Sequence, residues 1–244
     1  MKHFDWLSRT ALLTGKEALE HLSTRHVIVV GLGGIGSYAA EMLVRAGIGK
    51  VTLVDGDIID RTNRNRQLPA LFSTEGMSKV QWMYKRLLDV NPEVEIIPME
   101  QFILPDSIST LLASRPDYVI DAIDSVTPKV ALLELCHTNK IPIIANMGAG
   151  GKLDPLRVHV ADISRSHTCK LARVIRQRLK HLGIRKGIKV VFSDEPVIES
   201  SVQVTDGSNF KKSYYGTISY LPCIFGCVAA SVVIRDFINS CDQD

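Results

Sequence analysis

A glycine-rich turn between two apolar segments constrains the fold of this chain more than any other feature. The run His26-Val-Ile-Val-Val30 ends at Gly31-Leu-Gly-Gly-Ile-Gly36, and helical periodicity follows over about residues 35–46. A second apolar run, Lys50-Val-Thr-Leu-Val54, leads directly into Asp55. A strand, glycine turn, helix and strand within about 30 residues make a βαβ unit. Because both strands are apolar on both faces, we expect them in a buried parallel sheet.

The same alternation of strands and helices continues along the chain. The sequence predicts an N-terminal helix over residues 7–22, later helices over 79–90 and 128–139, and strands over 94–98, 118–120 and 141–145. This order predicts an α/β fold with a Rossmann-like, mostly parallel sheet and helices on both faces. A further strand is expected over residues 152–160.

The C-terminal part has a different pattern, and we expect it to extend a single domain spanning residues 1–244. Residues 1–151 would form the nucleotide-binding core, and residues 152–244 would add a basic helix and an apolar tail. Residues 217–234 are uncharged, which reaches the lower length limit for a membrane span. Pro222, Gly226 and the abrupt Arg235-Asp236 end favour a buried strand followed by a helix on the sheet.

The cysteines indicate a reducing compartment. The chain has five cysteines and no CxxC pair, which argues against a disulfide scaffold and a four-thiolate zinc site. The N-terminal segment is mixed polar and apolar and contains acids, unlike a signal peptide. We therefore expect a cytoplasmic protein.

Positive charge is concentrated in one segment. Between Asp162 and Asp194 lie nine of the 29 lysines and arginines and none of the 26 acids. Within it, Arg173, Arg176 and Lys180 share one face of a predicted amphipathic helix. Such an island is either a solvated helix face or a site for a polyanion.

The glycine turn matches the pattern G-x-G-x-x-G, which is typical of nucleotide binding. Gly31, Gly33, Gly34 and Gly36 would let backbone N–H groups approach a phosphate, and Asp55 could accept hydrogen bonds from ribose hydroxyls. Taken alone, the pattern leaves a nicotinamide or flavin oxidoreductase open, and also a turn without a ligand.

Further polar residues favour a triphosphate over a hydride donor. Asn63, Arg66 and Gln67 follow the acidic strand end, Lys79 starts a helix, and Asp124 ends the fourth strand. Cations and amides there could hold phosphates, and a carboxylate could hold Mg²⁺ carried with ATP.

Together these motifs resemble the MoeB/ThiF family of adenylating enzymes, which includes relatives of ubiquitin-activating enzyme. The resemblance rests on GLGGIG, LVDGD, Asn63 with Arg66-Gln67, Lys79 and DAIDS. It implies ATP and Mg²⁺ as ligands. The implied ATP-binding and catalytic residues are Gly31, Gly33, Gly34, Gly36, Asp55, Asn63, Arg66, Gln67, Lys79 and, as the magnesium ligand, Asp124. Arg9 matches a family arginine that reaches the ATP of a partner subunit, which implies a homodimer.

Within the family, the chain resembles the branch of tRNA threonylcarbamoyladenosine dehydratases. The N-terminal FDWLSRTALLTG, the Gly148-Ala-Gly-Gly151 turn and Asp154-Pro155 carry this likeness. It implies ATP-dependent cyclisation of a threonylcarbamoyl group through a carboxyl-adenylate. The alternative is adenylation of a ubiquitin-like sulfur carrier, whose enzymes usually hold zinc; we expect no structural zinc here. Implied partners are tRNA rather than DNA, contacted by Arg173, Arg176 and Lys180, and a cysteine desulfurase system.

Overall fold

Seven strands form one sheet in a computed structural model that describes residues 5–204 and 213–241. The spatial order is β3-β2-β1-β4-β5-β7-β6. The strands are β1 His26–Val30, β2 Lys50–Val54, β3 Glu95–Met99, β4 Tyr118–Asp121, β5 Ile143–Asn146, β6 Val158–Asp162 and β7 Lys189–Ser193. A small separate pair consists of β8 Val202–Val204 and β9 Ser213–Tyr215.

Parallel pairing brings the ends of most strands to one edge of the sheet. Strand β1 pairs in parallel with β2 on one side and β4 on the other, with Val27 beside both Val51 and Tyr118. Strand β6 runs antiparallel to β7. The chain order reverses between β1 and β4, and ligands bind at such switch points in open α/β sheets. The predicted α/β class with a mostly parallel sheet is confirmed.

Helices cover both faces of the sheet. They are α1 Ser8–Thr14, α2 Lys16–Thr24, α3 Gly36–Arg45, α4 Lys79–Val90, α5 Ile108–Leu112, α6 Val126–Thr138, α7 Lys170–His181 and α8 Tyr220–Cys241. One apolar cluster joins Leu22, Leu43, Leu87 and Phe225, so α2, α3, α4 and α8 share a face. A second cluster contains buried residues of α5, α6 and α7 on the other face.

Three sequence expectations need correction. The helix expected over 7–22 is interrupted at Gly15, whose φ of +86° ends α1 before α2 begins. The strand expected over 152–160 begins only at Val158, because Pro155 starts a 3-10 turn. The pattern also missed β7 and the short helix α5.

The apolar tail is a single helix rather than a strand and a helix. Pro222 lies in the first turn of α8, where its missing N–H would have no helical partner. By length and composition α8 could cross a membrane, and it is the one such helix among the described residues. In this fold Phe225, Ala229 and Val233 are fully buried, and α8 packs on α2, α3 and the sheet.

Gly226 gives a direct test of this packing. A Cβ at 226 would collide with the Ile35 carbonyl oxygen and lie 3.1 Å from the Ala39 nitrogen. We expect Gly226→Ala to lower the free energy of unfolding by about 1–3 kcal/mol, the usual cost of overpacking. Urea unfolding followed by circular dichroism measures this. Ser231→Ala, in the same helix, is the matched control, and equal stability of the two variants would contradict the proposed contact.

Candidate active site

The glycine turn is folded so tightly that only glycine fits at its key positions. Gly31 adopts φ +91°, and a Cβ there would lie 2.8 Å from the Ala122 carbonyl oxygen. A Cβ on Gly36 would collide with the Gly31 carbonyl oxygen. Ser37 closes the turn, since its Oγ donates to the Gly33 carbonyl over 2.6 Å. The turn therefore presents backbone rather than side chains at the start of α3.

Asp55 connects the end of β2 to this turn. Its Oδ2 accepts the Leu32 N–H over 2.6 Å, and its Oδ1 accepts the Asp57 N–H over 2.8 Å. Burial raises the pKa of Asp55, and the nearby Lys79 ammonium opposes that shift. Each carboxylate oxygen can still accept another bond. The Asp55 carboxylate, which we predict to bind the ribose hydroxyls, is therefore held in place by two backbone N–H groups at the switch point.

Lys79 is buried and already has a partner. Its Nζ donates to Asp57 Oδ2 over 2.8 Å, and only 4% of the residue is exposed. We expected this lysine to reach phosphate directly, whereas the structure pairs it with Asp57, which sequence reasoning missed. Asp57 follows Asp55 by two residues in LVDGD, and that spacing was the available signal.

Arg66 lies between the glycine turn and Asp124. Its Nη1 donates to the Thr62 carbonyl over 3.0 Å and to Asn65 Oδ1 over 2.8 Å. Burial lowers the pKa of Arg66, and the charge of Asp124 opposes this. A Cβ on Gly34 would lie 3.2 Å from the Arg66 carbonyl oxygen, so the turn and this segment are in contact.

Asn63 and Gln67 support the same segment. Asn63 Oδ1 accepts the Asp60 N–H over 3.2 Å and so caps the 3-10 turn Arg61–Asn63. The Gln67 amide nitrogen lies 3.6 Å from where a Gly33 Cβ would be. Gln67 Oε1 is buried with no hydrogen-bond partner in the described part of the chain. An unsatisfied buried acceptor beside the glycine turn fits a ligand that brings a donor.

Asp124 is exposed where β4 ends, beside Arg66. Among the residues that the structure describes, no three His, Cys, Asp or Glu residues lie close enough to form a protein-only metal site. Mg²⁺ in nucleotide sites usually takes one or two carboxylates plus phosphates and water. The exposed Asp124 carboxylate at this edge therefore fits the predicted role as a magnesium ligand.

A buried ion pair under the site was not predicted. Lys129 and Asp121 have fully buried side chains, and Lys129 Nζ donates to Asp121 Oδ2 over 2.5 Å and to the Asn146 carbonyl over 3.0 Å. Asn146 donates in turn to the Asp121 carbonyl over 3.1 Å. These bonds join the ends of β4 and β5 to α6, and so position the segment that carries Asp124.

Phe102 was also missed. A Cβ on Gly56 would lie 2.7 Å from the Phe102 ring, so glycine at 56 allows the ring to lie over the chain just after Asp55. The ring is 65% exposed. Its only sequence signal was a single aromatic residue after β3.

Arg9 lies outside this cluster. It is exposed on α1, which also presents Leu12 and Leu13 to solvent at 90% and 85% exposure. The Arg9 side chain forms no hydrogen bond or ion pair with the part of its own chain that the structure describes.

The basic face of α7 is only partly free. Arg173 and Lys180 are exposed, whereas Arg176 Nη1 donates to the Ser166 carbonyl over 2.6 Å and to Ser166 Oγ over 2.8 Å. On the apolar side of this region, Ile175 and Leu179 are buried, whereas Val174 and Leu182 are 39% and 45% exposed. Arg176 therefore anchors the loop before α7.

Removing Lys129 should destabilise the fold through its partner. Lys129→Met leaves the Asp121 carboxylate buried without a counterion, a change that costs about 3–5 kcal/mol at neutral pH. Because burial raises the pKa of that carboxyl in the folded state, the loss should be small near pH ~4 and grow towards pH 7. Urea unfolding across this pH range measures it. Asp121→Asn/Lys129→Met should recover stability, and a pH-independent loss would contradict this account.

Comparisons with known proteins show which family the chain belongs to. The model of the ThiF family matches residues 7–242. The tRNA threonylcarbamoyladenosine dehydratase of Bacillus subtilis is 41% identical over 239 residues, 95% of this chain and 94% of that protein. The Escherichia coli enzyme of the same name is 42% identical over 196 residues, covering 78% of this chain and 73% of that protein.

A solved structure of the Escherichia coli enzyme has the same fold. The crystal structure of that dehydratase, TcdA, in complex with ATP superposes with a TM-score of 0.88 at 36% identity, covering 97% of this chain and 95% of the other. The family match spans nearly every described element, from α1 to the end of α8. The chain therefore belongs to the ThiF family.

Proposed function

We propose that this chain is an ATP-dependent tRNA threonylcarbamoyladenosine dehydratase. The main support for this proposal is that the glycine turn, Asp55, Arg66 and Asp124 lie together at one edge of the sheet. They do so in a chain that aligns along most of its length with dehydratases of that name. The substrate would be the carboxylate of N6-threonylcarbamoyladenosine in tRNA.

The reaction needs ATP because a carboxylate is a poor electrophile. The substrate carboxylate attacks the α-phosphorus of ATP, a new P–O bond forms, and pyrophosphate leaves. An internal oxygen of the threonylcarbamoyl group then attacks the activated carbonyl carbon and closes a five-membered ring. AMP leaves with one former carboxylate oxygen, and a proton is released. The net change in the nucleoside is the loss of one water.

The protein's part in this reaction is positioning and charge compensation. Backbone N–H groups at Gly33 and Gly34 would approach the α-phosphate, and Asp55 would accept the ribose hydroxyls. Arg66, with Asn63 and Gln67 beside it, would stabilise negative charge on the phosphates. Lys79 would hold the Asp57 side chain in place through their ion pair, and 54% of that side chain is exposed. The exposed Phe102 ring would lie against the adenine.

Magnesium would be carried with ATP and held by Asp124. Bound Mg²⁺ neutralises phosphate charge during such a transfer. The exposed carboxylate of Asp124 lies beside Arg66, so phosphate, arginine and carboxylate would alternate in charge across the site.

Two of the five cysteines do not have the character of a catalytic nucleophile. Burial raises the pKa of Cys136 to about 12, and burial next to Cys227 raises the pKa of Cys223 to about 12. A reactive thiol needs a lowered pKa. This disfavours a thioester mechanism of the ubiquitin-activating type at either of these two residues. Adenylation of a sulfur-carrier protein stays the second candidate, since it uses the same ATP site.

We also propose a homodimer with shared sites. Exposed Leu12 and Leu13 provide an apolar surface beside Arg9, which would reach the ATP site of the second protomer. A cytoplasmic location and an association with a cysteine desulfurase system are proposed on the resemblance alone.

The function is tested by weighing nucleosides. The protein is incubated with ATP, Mg²⁺ and tRNA that carries threonylcarbamoyladenosine, and the tRNA is then digested. We expect the modified adenosine to lose one water, Arg66→Ala to abolish the loss, and Lys85→Ala, an exposed cation on α4, to retain it. Pyrophosphate exchange with a small carrier protein, without loss of water, would instead support the sulfur-carrier function.

The exposed cations of α7 should contribute to tRNA binding. Arg173→Glu/Lys180→Glu should weaken tRNA affinity and flatten its dependence on salt, because fewer phosphate counterions are released. ATP affinity should not change. Filter binding at several salt concentrations measures the effect, with Lys85→Glu as a charge-reversal control on a different helix. Arg176→Glu should instead reduce stability, since its guanidinium binds Ser166. Unchanged tRNA affinity in the double variant would refute a role for this face.

Shared sites predict complementation between two inactive variants. In a dimer of Arg9→Ala with Arg66→Ala, one site keeps both arginines and the other lacks both. Random pairing makes half of the dimers mixed, so co-expression should return about a quarter of wild-type activity if protomers pair symmetrically. Dehydration assays on the co-purified protein measure this. Activity no higher than that of the separate variants would show that Arg9 does not act across the dimer.

A further inference from the structure

The segment that carries Asn63 and Arg66 also has an exposed surface that the adenylation chemistry does not use. Residues 61–74 contain three arginines and no acid. Arg66 is drawn towards the glycine turn, whereas Arg61 and Arg64 remain exposed. Asp60, directly before the segment, is exposed near both of these arginines, so it balances part of the positive charge on this surface.

An aromatic ring stands beside one of these arginines. Phe72 is 85% exposed, and the Cζ atom of Arg64 lies 5.7 Å from the centre of its ring. The Arg64 Nε donates to the Arg61 carbonyl over 3.2 Å, which restrains the guanidinium near the ring. A planar cation and a planar aromatic group are thus held together on the surface.

Hydrogen bonds of the Thr74 hydroxyl hold the turn that exposes Phe72. Thr74 Oγ1 donates to the Pro69 carbonyl over 2.7 Å and accepts the Leu71 N–H over 2.8 Å. Thr74 is buried, whereas the ring of Phe72 points away from both core clusters. Because the ring adds little to the core, its exposure calls for a partner outside the protomer.

We propose that Phe72 and Arg64 form a stacking platform for an unpaired base of the tRNA loop that carries the modified adenosine. This inference rests on the proposed function. Proteins that read single-stranded RNA stack its bases on aromatic rings and on arginine planes. An unpaired loop base matches both parts of this surface, because its flat face can stack on the exposed ring and on the guanidinium plane. The platform lies on the same segment as Asn63 and Arg66, so a base near the reacting nucleotide would be bound while its carboxylate enters the ATP site.

The competing occupant is a second copy of this chain, since Leu71 and Met77 nearby are about half exposed. Substitutions at one position separate the two. A protein interface needs apolar bulk at 72, which leucine supplies, whereas base stacking needs a flat ring, which tryptophan supplies. Arg64→Lys keeps the charge and removes the planar group.

The test measures binding of a fluorescein-labelled anticodon stem-loop RNA carrying threonylcarbamoyladenosine. Anisotropy should show affinity about ten-fold weaker for Phe72→Leu, close to wild type for Phe72→Trp, and weaker for Arg64→Lys. The salt dependence for Phe72→Leu should be unchanged, because the ring is uncharged. ATP affinity by calorimetry and the sedimentation coefficient should match wild type. Leu156→Ala, which removes another exposed apolar side chain, is the control.

Two results would overturn the platform. One is equal RNA affinity for Phe72→Leu and wild type, and the other is dissociation of an oligomer by Phe72→Ala, which removes the apolar bulk, with RNA affinity unchanged per protomer. RNA affinity is read separately from loss of water in the nucleoside. A wild-type protein that binds the stem-loop through Phe72 but removes no water would contradict the proposed function and leave the platform standing.

Discussion

Close contact between backbone segments at the glycine turn is the constraint on which the rest of the site depends. Gly31 lies against the backbone that follows β4, and Gly36 lies against the carbonyl of Gly31. Gly226 of α8 lies against the carbonyl of Ile35. A side chain at any of these three positions would collide with that backbone. The Asp55 carboxylate then connects the turn to β2 through the Leu32 N–H. The side chains that we propose to bind ATP are arranged around this turn.

Each charge at the site lies near an opposite charge before any ligand binds. Lys79 has Asp57, Arg66 lies beside Asp124, and Lys129 has Asp121 below them. The buried pair has no route to solvent and acts as a fixed support. The carboxylates of Asp57 and Asp124 are exposed, and a phosphate group can compete with Asp124 for Arg66. This arrangement suits an enzyme that binds a highly charged substrate and then stabilises a transferred adenylyl group by position, with no covalent bond to the protein.

The main features of the fold and site follow from local sequence, and the exceptions have physical reasons. The apolar strands and the glycine spacing predict the sheet and its switch point because both depend on short segments. Lys129 was missed because a lysine on a predicted helix suggests a solvent-exposed side chain, and only the three-dimensional fold brings it onto Asp121. Strand β7 was missed because it follows a run of cations. Likewise, the Arg64–Phe72 contact joins residues eight positions apart in a segment without regular structure.

The central claim is that the threonylcarbamoyl carboxylate is activated by transfer of AMP at this site. Isotope transfer measures this most directly. The tRNA is prepared with ¹⁸O in that carboxylate, one turnover is run with unlabelled ATP, and the AMP is analysed by mass spectrometry. The account predicts AMP that carries one ¹⁸O atom, together with the cyclised nucleoside and pyrophosphate. Unlabelled AMP, or ADP with labelled phosphate, would contradict it.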